Sequence, residues 1–227
     1  MERREELRAN LEATYTKIRE LADAAGRKAP ELLPVTKFHP ASDIAILREL
    51  GISDVAENRE QEAREKAAEL PDIKFHMIGQ VQTKKANHVA RWASSVHSVD
   101  SEKLARALDR GVELAIERGQ RAENLPIYIQ ISADGDTSRG GVAQENLDNL
   151  VEIVGQLKFL ELQGLMVVPP LESDPQEVFS RVRGLCDDLG ETMKLSAGMS
   201  ADLTEAIACG SDIVRVGTGI LGTRPVI

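Results

Sequence analysis

Aromatic side chains make up only 3% of the chain, and cysteine occurs twice. So few aromatics argue against the stacking platforms that hold single-stranded nucleic acid. Cys186 and Cys209 form neither a CxxC pair nor a metal-ligand spacing, and four scattered histidines add none. A disulfide framework and a zinc fold are therefore not expected, and free thiols in a reducing cytoplasm are. Positive charge is also scarce: 28 Lys and Arg stand against 37 Asp and Glu, a net charge of −9. That removes the overall basic footprint of a nucleic-acid or anionic-membrane binder. No apolar run approaches the ~20 residues of a membrane span. The opening MERREELRAN has no apolar stretch of the kind a signal peptide needs. What is present is ordinary for a globular protein: 227 residues, 42% hydrophobic and 29% charged. A chain of this length buries a sizeable core without staples.

Short β-rich runs recur at 32–36, 54–57, 74–78, 95–99, 127–131, 162–168, 193–196 and 213–216. Most are too short and too apolar for half-exposed hairpins. Helical spacing separates them. Leu104, Leu108, Val112 and Ala115 share one face, as do Leu147, Leu150, Val154 and Leu157, and then Val178, Val182 and Leu185. Asn58 and Gln61 have capping-box spacing, and Asp174-Pro175 offers an N-cap followed by proline. Ser200 is placed to cap the helix carrying Leu203, Ala206 and Ile207, and Gly210 to stop it. Alternating strands and helices imply parallel pairing with right-handed crossovers. Eight such units predict an α/β fold, a single (β/α)8 TIM-type barrel over residues 1–227, with a doubly wound sheet as the alternative. An additional N-terminal helix, with Leu7, Leu11, Ile18 and Leu21 on one face, is expected to cover the surface left bare after the last strand. The polar, glycine-rich loop 133–141 (ADGDTSRGG) is a candidate mobile segment.

Three features carry chemistry. Lys37 ends the first strand in PVTK, where barrels of this kind place their sites. Apolar walls or cations there would lower its pKa and leave a nucleophilic amine for a Schiff base, although a solvated lysine fits the same position. The second feature is the pair of loops at 196–200 and 217–219, after the last two strands. Ser196, Gly198 and Ser200, with Gly217, Thr218 and Gly219, can hold an anion near helix starts. Two tight turns would also explain them. The third is Arg215, a charge inside the apolar run IVRVG, paired or turned to a ligand. The GxGxxG match at 217–222 lacks the helix, second strand and acidic residue of a dinucleotide site. Asp134 and Asp136 lack the ordered ligands of a calcium loop. His76 alternates with apolar neighbours, as a core histidine does.

These residues also carry a resemblance. PVTK (34–37), AENR (56–59), FHMIGQVQ (75–82), HSVDS (97–101), GLMVVP (164–169) and SAGMSADLTEAIACGSDIVRVGTGILG (196–222) resemble, in order, the YggS/PROSC family of pyridoxal-phosphate (PLP) homeostasis proteins. The resemblance implies a fold-type III PLP-binding barrel, similar to the N-terminal domain of alanine racemase. It implies pyridoxal 5'-phosphate as cofactor, held by Lys37 as an internal aldimine. It implies phosphate contacts from Ser196, Gly198, Met199, Ser200, Gly217 and Thr218, and Arg215 facing the pyridine nitrogen. Asn58 and His76 sit in motifs that line the mouth. The chain differs from the family pattern at Lys84, Arg139, Ala197 and Leu221.

A racemase needs an acid–base group on each face of the substrate Cα. The only tyrosines are Tyr15, in the first helix, and Tyr128, in a strand. An arginine beside the ring nitrogen also disfavours its protonation. The leading reading is a PLP carrier acting in cofactor supply rather than a strong catalyst. A PLP-dependent amino-acid racemase of weak or narrow activity is the alternative, and a Schiff-base aldolase without PLP the third. Expected partners are PLP and then apo PLP-dependent enzymes or free amino acids, with no nucleic acid, membrane or metal. The expected form is a cytoplasmic monomer.

Overall fold

The computed structural model describes residues 2–223. The chain opens with helix α1 (Glu2–Ala24) and then alternates: β1 (Glu31–Pro34), α2 (Ala41–Glu49), β2 (Asp54–Glu57), α3 (Glu60–Glu69), β3 (Lys74–Met77), α4 (Ala86–Trp92) and β4 (Ala93–Val99). It continues through α5 (Glu102–Glu117), β5 (Leu125–Ile131), α6 (Leu147–Gly155), β6 (Leu160–Val167), α7 (Pro175–Leu189), β7 (Lys194–Ser196), α8 (Leu203–Ala208), β8 (Ile213–Val216) and the short α9 (Thr218–Leu221). The strands form one eight-stranded sheet in the order β1-β8-β7-β6-β5-β4-β3-β2. All registered pairs are parallel. The parallel bridge Val35↔Ala56 joins β1 back to β2. This is the expected (β/α)8 barrel, not a doubly wound sheet.

All eight strands stand where their apolar runs place them, two of them to the residue. The strands can be short because the fold buries both faces. Leu33, Val35, Ala56, Tyr128, Met166 and Ile213 pack together as one cluster across the barrel interior. The outer faces meet the helices. The α5 stripe of Leu104, Leu108, Val112 and Ala115 is at most 1% exposed. Asp174 caps α7 by accepting the Gln176 N–H at 2.9 Å, with Pro175 in the first turn.

Helix α1 covers the bare sector. Leu7, Leu11, Ile18 and Ala22 are buried in one cluster with Leu203, Ile207, Ile220 and Leu221. Burying each of these leucines and isoleucines stabilises by about 1.5–3 kcal/mol. Arg3 Nη2 donates to Leu221 O at 2.9 Å and Asn10 Nδ2 to Ile220 O at 2.9 Å, satisfying carbonyls that end α9. Leu21, expected on the buried face, is only half-buried, and Ala22 takes its place.

Two capping expectations are corrected. Asn58 does not cap α3: the N-cap is Arg59, with extended backbone, and Gln61 Nε2 donates to Glu65 instead. Ser200 does not cap α8, whose N-cap is Asp202. The Asp202 carboxylate turns back and accepts the Met199 N–H at 2.6 Å. The stop at Gly210 is as expected, with φ +89° beyond Cys209. Among the described residues, no helix is long and apolar enough to cross a membrane.

Candidate functional site

Lys37 follows β1 at the C-terminal end of the barrel. Val35, two residues earlier, belongs to the inner cluster, so strand alternation carries Lys37 to the mouth. Lys37 is half-buried. Its neighbours are tightly held. Thr36 N–H donates to Ala56 O at 2.9 Å, and Thr36 Oγ1 donates to Glu57 Oε1 at 2.6 Å. Phe38 takes φ +69°, the only positive φ among described non-glycine residues. Its N–H donates to Glu62 Oε1 at 2.7 Å, and the Arg59 guanidinium lies 4.9 Å from its ring centroid. Behind this turn, Lys66 Nζ donates to Thr36 O, Glu57 Oε1 and Glu62 Oε1. Burial pushes the Glu57 carboxyl up, against the pull of the Lys66 cation.

Arg215 lies on β8, beside β1, in register with Leu33. It is 3% exposed. Its Nη1 donates to Ser196 O at 2.6 Å and Ser196 Oγ at 2.8 Å, and its Nη2 to Val167 O at 3.0 Å. No carboxylate among the described residues lies in ion-pair contact with it. Desolvation lowers its pKa to about 10, while Asp202 pulls the other way. The guanidinium is therefore cationic at neutral pH.

Ser196 Oγ also meets His97 Nδ1 at 2.9 Å. Since arginine only donates, the serine oxygen accepts from Arg215 and its hydroxyl hydrogen is free to donate to His97. Burial holds the His97 imidazole neutral, with its pKa well below 6.5, and nearby His76 and Arg215 add to the shift. The His97 ring rests on Tyr128 with centroids 4.2 Å apart. Ser196 is thus a link in the barrel interior, its hydroxyl committed to Arg215 and His97.

The two loops after β7 and β8 converge. Gly198 has φ +95°, and a Cβ there would lie 2.5 Å from Ala206 Cβ, so glycine is needed. A Cβ on Gly219 would lie 3.6 Å from Ser200 Oγ, and one on Gly217 3.3 Å from Val35 O. Ser200, Gly217 and Gly219 therefore gather at the end of β1. The first-turn N–H groups at Thr218 and Gly219 have no acceptor within α9. The Met199 amide is already held by Asp202, and its side chain is 37% exposed.

Asn58 lines a cavity of about 360 Å³ with Ile78, Gln130, Arg139, Met166 and Val168, above β2, β3, β5 and β6. Loop 133–141 forms one wall, where Arg139 pairs with both Asp134 and Asp136. His76 is not brought to this mouth. Its Nε2 meets Asp54 Oδ1 at 2.8 Å and its Nδ1 meets Ser95 Oγ at 2.7 Å. It lines a separate cavity at the N-terminal end with Asp54, Lys74 and Arg121. The physical reason is the Asp54 carboxylate at the start of β2, which draws the inward ring downward, and this bond is the largest cause of the lowered Asp54 pKa.

Sequence reasoning missed His97, Asp202 and the Glu57–Glu62–Lys66 group. A signal existed for two of them: His97 lies in a strand with Val96 and Val99, and Glu57 follows the apolar pair Val55-Ala56 at a strand's C-terminal end.

The alanine racemase N-terminal domain model matches residues 9–225. A pyridoxal phosphate homeostasis protein of Corynebacterium glutamicum is 57% identical over 199 residues, covering 86% of this chain and 90% of that one. The structure of PipY of Synechococcus elongatus PCC7942 with PLP bound aligns with a TM-score of 0.81 at 30% identity, covering 95% of this chain and 100% of that one. Alanine racemase from Corynebacterium glutamicum shares the fold, with a TM-score of 0.68 at 15% identity over 98% of this chain and 62% of that one.

Proposed function

The chain belongs to the alanine racemase N-terminal-domain family, within the YggS/PROSC group of pyridoxal phosphate homeostasis proteins, and on that premise we propose that it binds pyridoxal 5'-phosphate at Lys37 and acts in PLP supply. One observation carries the reading. Neighbouring strands β1 and β8 bring Lys37, Arg215 and the 217–219 turn to one corner of the mouth, with Val35 N–H donating to Val216 O at 2.9 Å.

The residues present fit the cofactor. Lys37 would hold the cofactor through its amine, the nucleophile that attachment to an aldehyde requires. Ser200, Gly217 and Thr218 offer a phosphate cradle whose close approach depends on glycine. Arg215 has N–H donors beyond the three used by protein acceptors and would supply a fixed cation to the cofactor ring. Bound PLP supplies an electron sink, most effective with a protonated ring nitrogen. A cationic Arg215 disfavours that proton. Asn58 borders the mouth, whereas His76 supports the barrel interior.

The supply reading is favoured over amino-acid turnover by where the tyrosines stand. Tyr15 lies exposed on α1. Tyr128 lies under His97, and burial, with Glu31 and Asp212 nearby, raises its pKa. Neither faces Lys37 across the mouth. Recipients of matching chemistry would be apo PLP-dependent enzymes and free amino acids, which carry amines able to compete with that of Lys37. A monomeric, cytoplasmic barrel over residues 1–227 completes the proposal.

The test is direct. Protein incubated with PLP should turn yellow, and borohydride should fix the cofactor on Lys37, read by peptide mass mapping. Lys37→Ala should lose both. A colourless wild type, or a Lys37→Ala protein keeping the visible band, would sink the assignment.

A further inference from the structure

We infer that Glu62, working with Lys66 and Glu57, is a positioning residue that sets the turn presenting Lys37. Helix α3, as well as strand β1, then aims the amine. This rests on the proposed role of Lys37.

Lys37 lies between two residues tethered to one buried network. On one side, Thr36 is bound through its N–H to Ala56 O and its hydroxyl to Glu57 Oε1, and its carbonyl accepts both from Lys66 Nζ at 3.0 Å and from the His39 N–H at 3.1 Å, which closes the turn. On the other, Phe38 N–H is held by Glu62 Oε1 at 2.7 Å. Glu62 and Lys66 are four apart on α3 and pair at 2.7 Å, so they share one face. Lys66 spends all three ammonium hydrogens, on Thr36 O, Glu57 Oε1 and Glu62 Oε1.

Stability alone does not explain this arrangement. Lys66 is 7% exposed and Glu57 fully buried. Buried ion pairs of this kind are often no better than apolar residues of equal volume. Their bonds, however, converge on the two residues flanking Lys37. Phe38 at φ +69° sits where a residue with a Cβ is disfavoured, and it stays there only if its surroundings dictate it. The His39 N–H bond to Thr36 O closes the turn, and the Glu62 bond to the Phe38 N–H and the Arg59 guanidinium over its ring add to that restraint. Glu62 transfers no proton. It removes the ordering step that would otherwise precede condensation of the amine with the aldehyde.

Wild type, Glu62→Ala, Glu62→Gln and Lys37→Ala would each be mixed with PLP and the rise of visible absorbance timed. Melting temperature and Phe38 amide exchange would be recorded on the same proteins without PLP. Glu62→Ala should form the imine about tenfold more slowly and exchange the Phe38 amide faster, while Glu62→Gln, whose amide oxygen still accepts, should stay within about twofold of wild type. A Glu62→Ala protein that reacts at the wild-type rate would overturn the inference, even if its melting temperature falls. So would a Glu62→Gln protein as slow as Glu62→Ala. A wild type that forms no imine, or a Lys37→Ala protein that does, would instead mark failure of the site assignment.

Discussion

Arg215 and His97 are two buried groups that solve the same problem in opposite ways. The arginine keeps its charge by donating to Ser196 and Val167, whereas the histidine gives its charge up. That choice has a pH signature. The folded pKa of His97 lies well below its ordinary 6.5, so on acidification the unfolded chain takes the proton first. The stability contributed is full above the unfolded pKa and is lost as pH falls toward the folded value. The slope is at most about 1.4 kcal/mol per pH unit for one proton. Replacing His97 with Gln, which keeps an acceptor for Ser196, should flatten the loss between about pH 7 and about pH 5 in urea unfolding. Parallel curves for the two proteins would exclude His97 as its source. Lys37 and Arg215 were legible in the sequence because one ends an apolar strand and the other interrupts one. The Glu62 and Lys66 pair was not. Both lie in EQEAREKAAE, where a charged face reads as solvated, and only the fold shows that Lys66 points inward.

At the scale of elements, strands were read better than helix starts. A buried parallel strand is an apolar run between polar breaks, visible without knowledge of its neighbours. A cap depends on which single residue turns extended, and at Asn58 and Ser200 that residue lies one or two positions later. Helix α3 offered no apolar stripe, because its inward face is made of Ala63, Glu60 and Lys66. The loop after β7 was legible as a glycine turn, but its link to Asp202 was not. Gly198 makes that loop testable. At φ +95°, with a Cβ placed 2.5 Å from Ala206 Cβ, Gly198→Ala should destabilise the fold by more than about 1 kcal/mol and weaken PLP retention. Unfolding curves and a PLP competition assay would read both effects, and an alanine variant that matches wild type in each would show the loop to be pliant.

For the whole molecule, closure of the barrel is uneven. Strands β5 and β6 share a long register from Leu125↔Leu160 to Ile131↔Val167, while β1 and β2 meet through the Val35↔Ala56 bridge and the Thr36 amide. One sparse seam therefore lies beside Lys37; the other is between β7 and β8, registered through Ser196↔Ile213 alone. In the free protein the Thr36 amide should exchange faster than those of Ile129 and Val167, and PLP should slow it selectively. Uniform protection along all strands, with or without PLP, would contradict a weak seam.

The packing of α1 on α8 and α9 has a consequence for how the chain comes off the ribosome. Arg3 and its acceptor Leu221 O lie 218 positions apart. At ordinary translation speeds, roughly 10–40 s separate the synthesis of the first helix from that of its cover. During that interval Leu7, Leu11 and Ile18 can meet Ile44 and Leu47 of α2 but lack Leu203, Ile207, Ile220 and Leu221, which complete their cover. Helix α1, made before every strand of the barrel, is fully covered only once α8 and α9 follow, and barrel closure waits for β8.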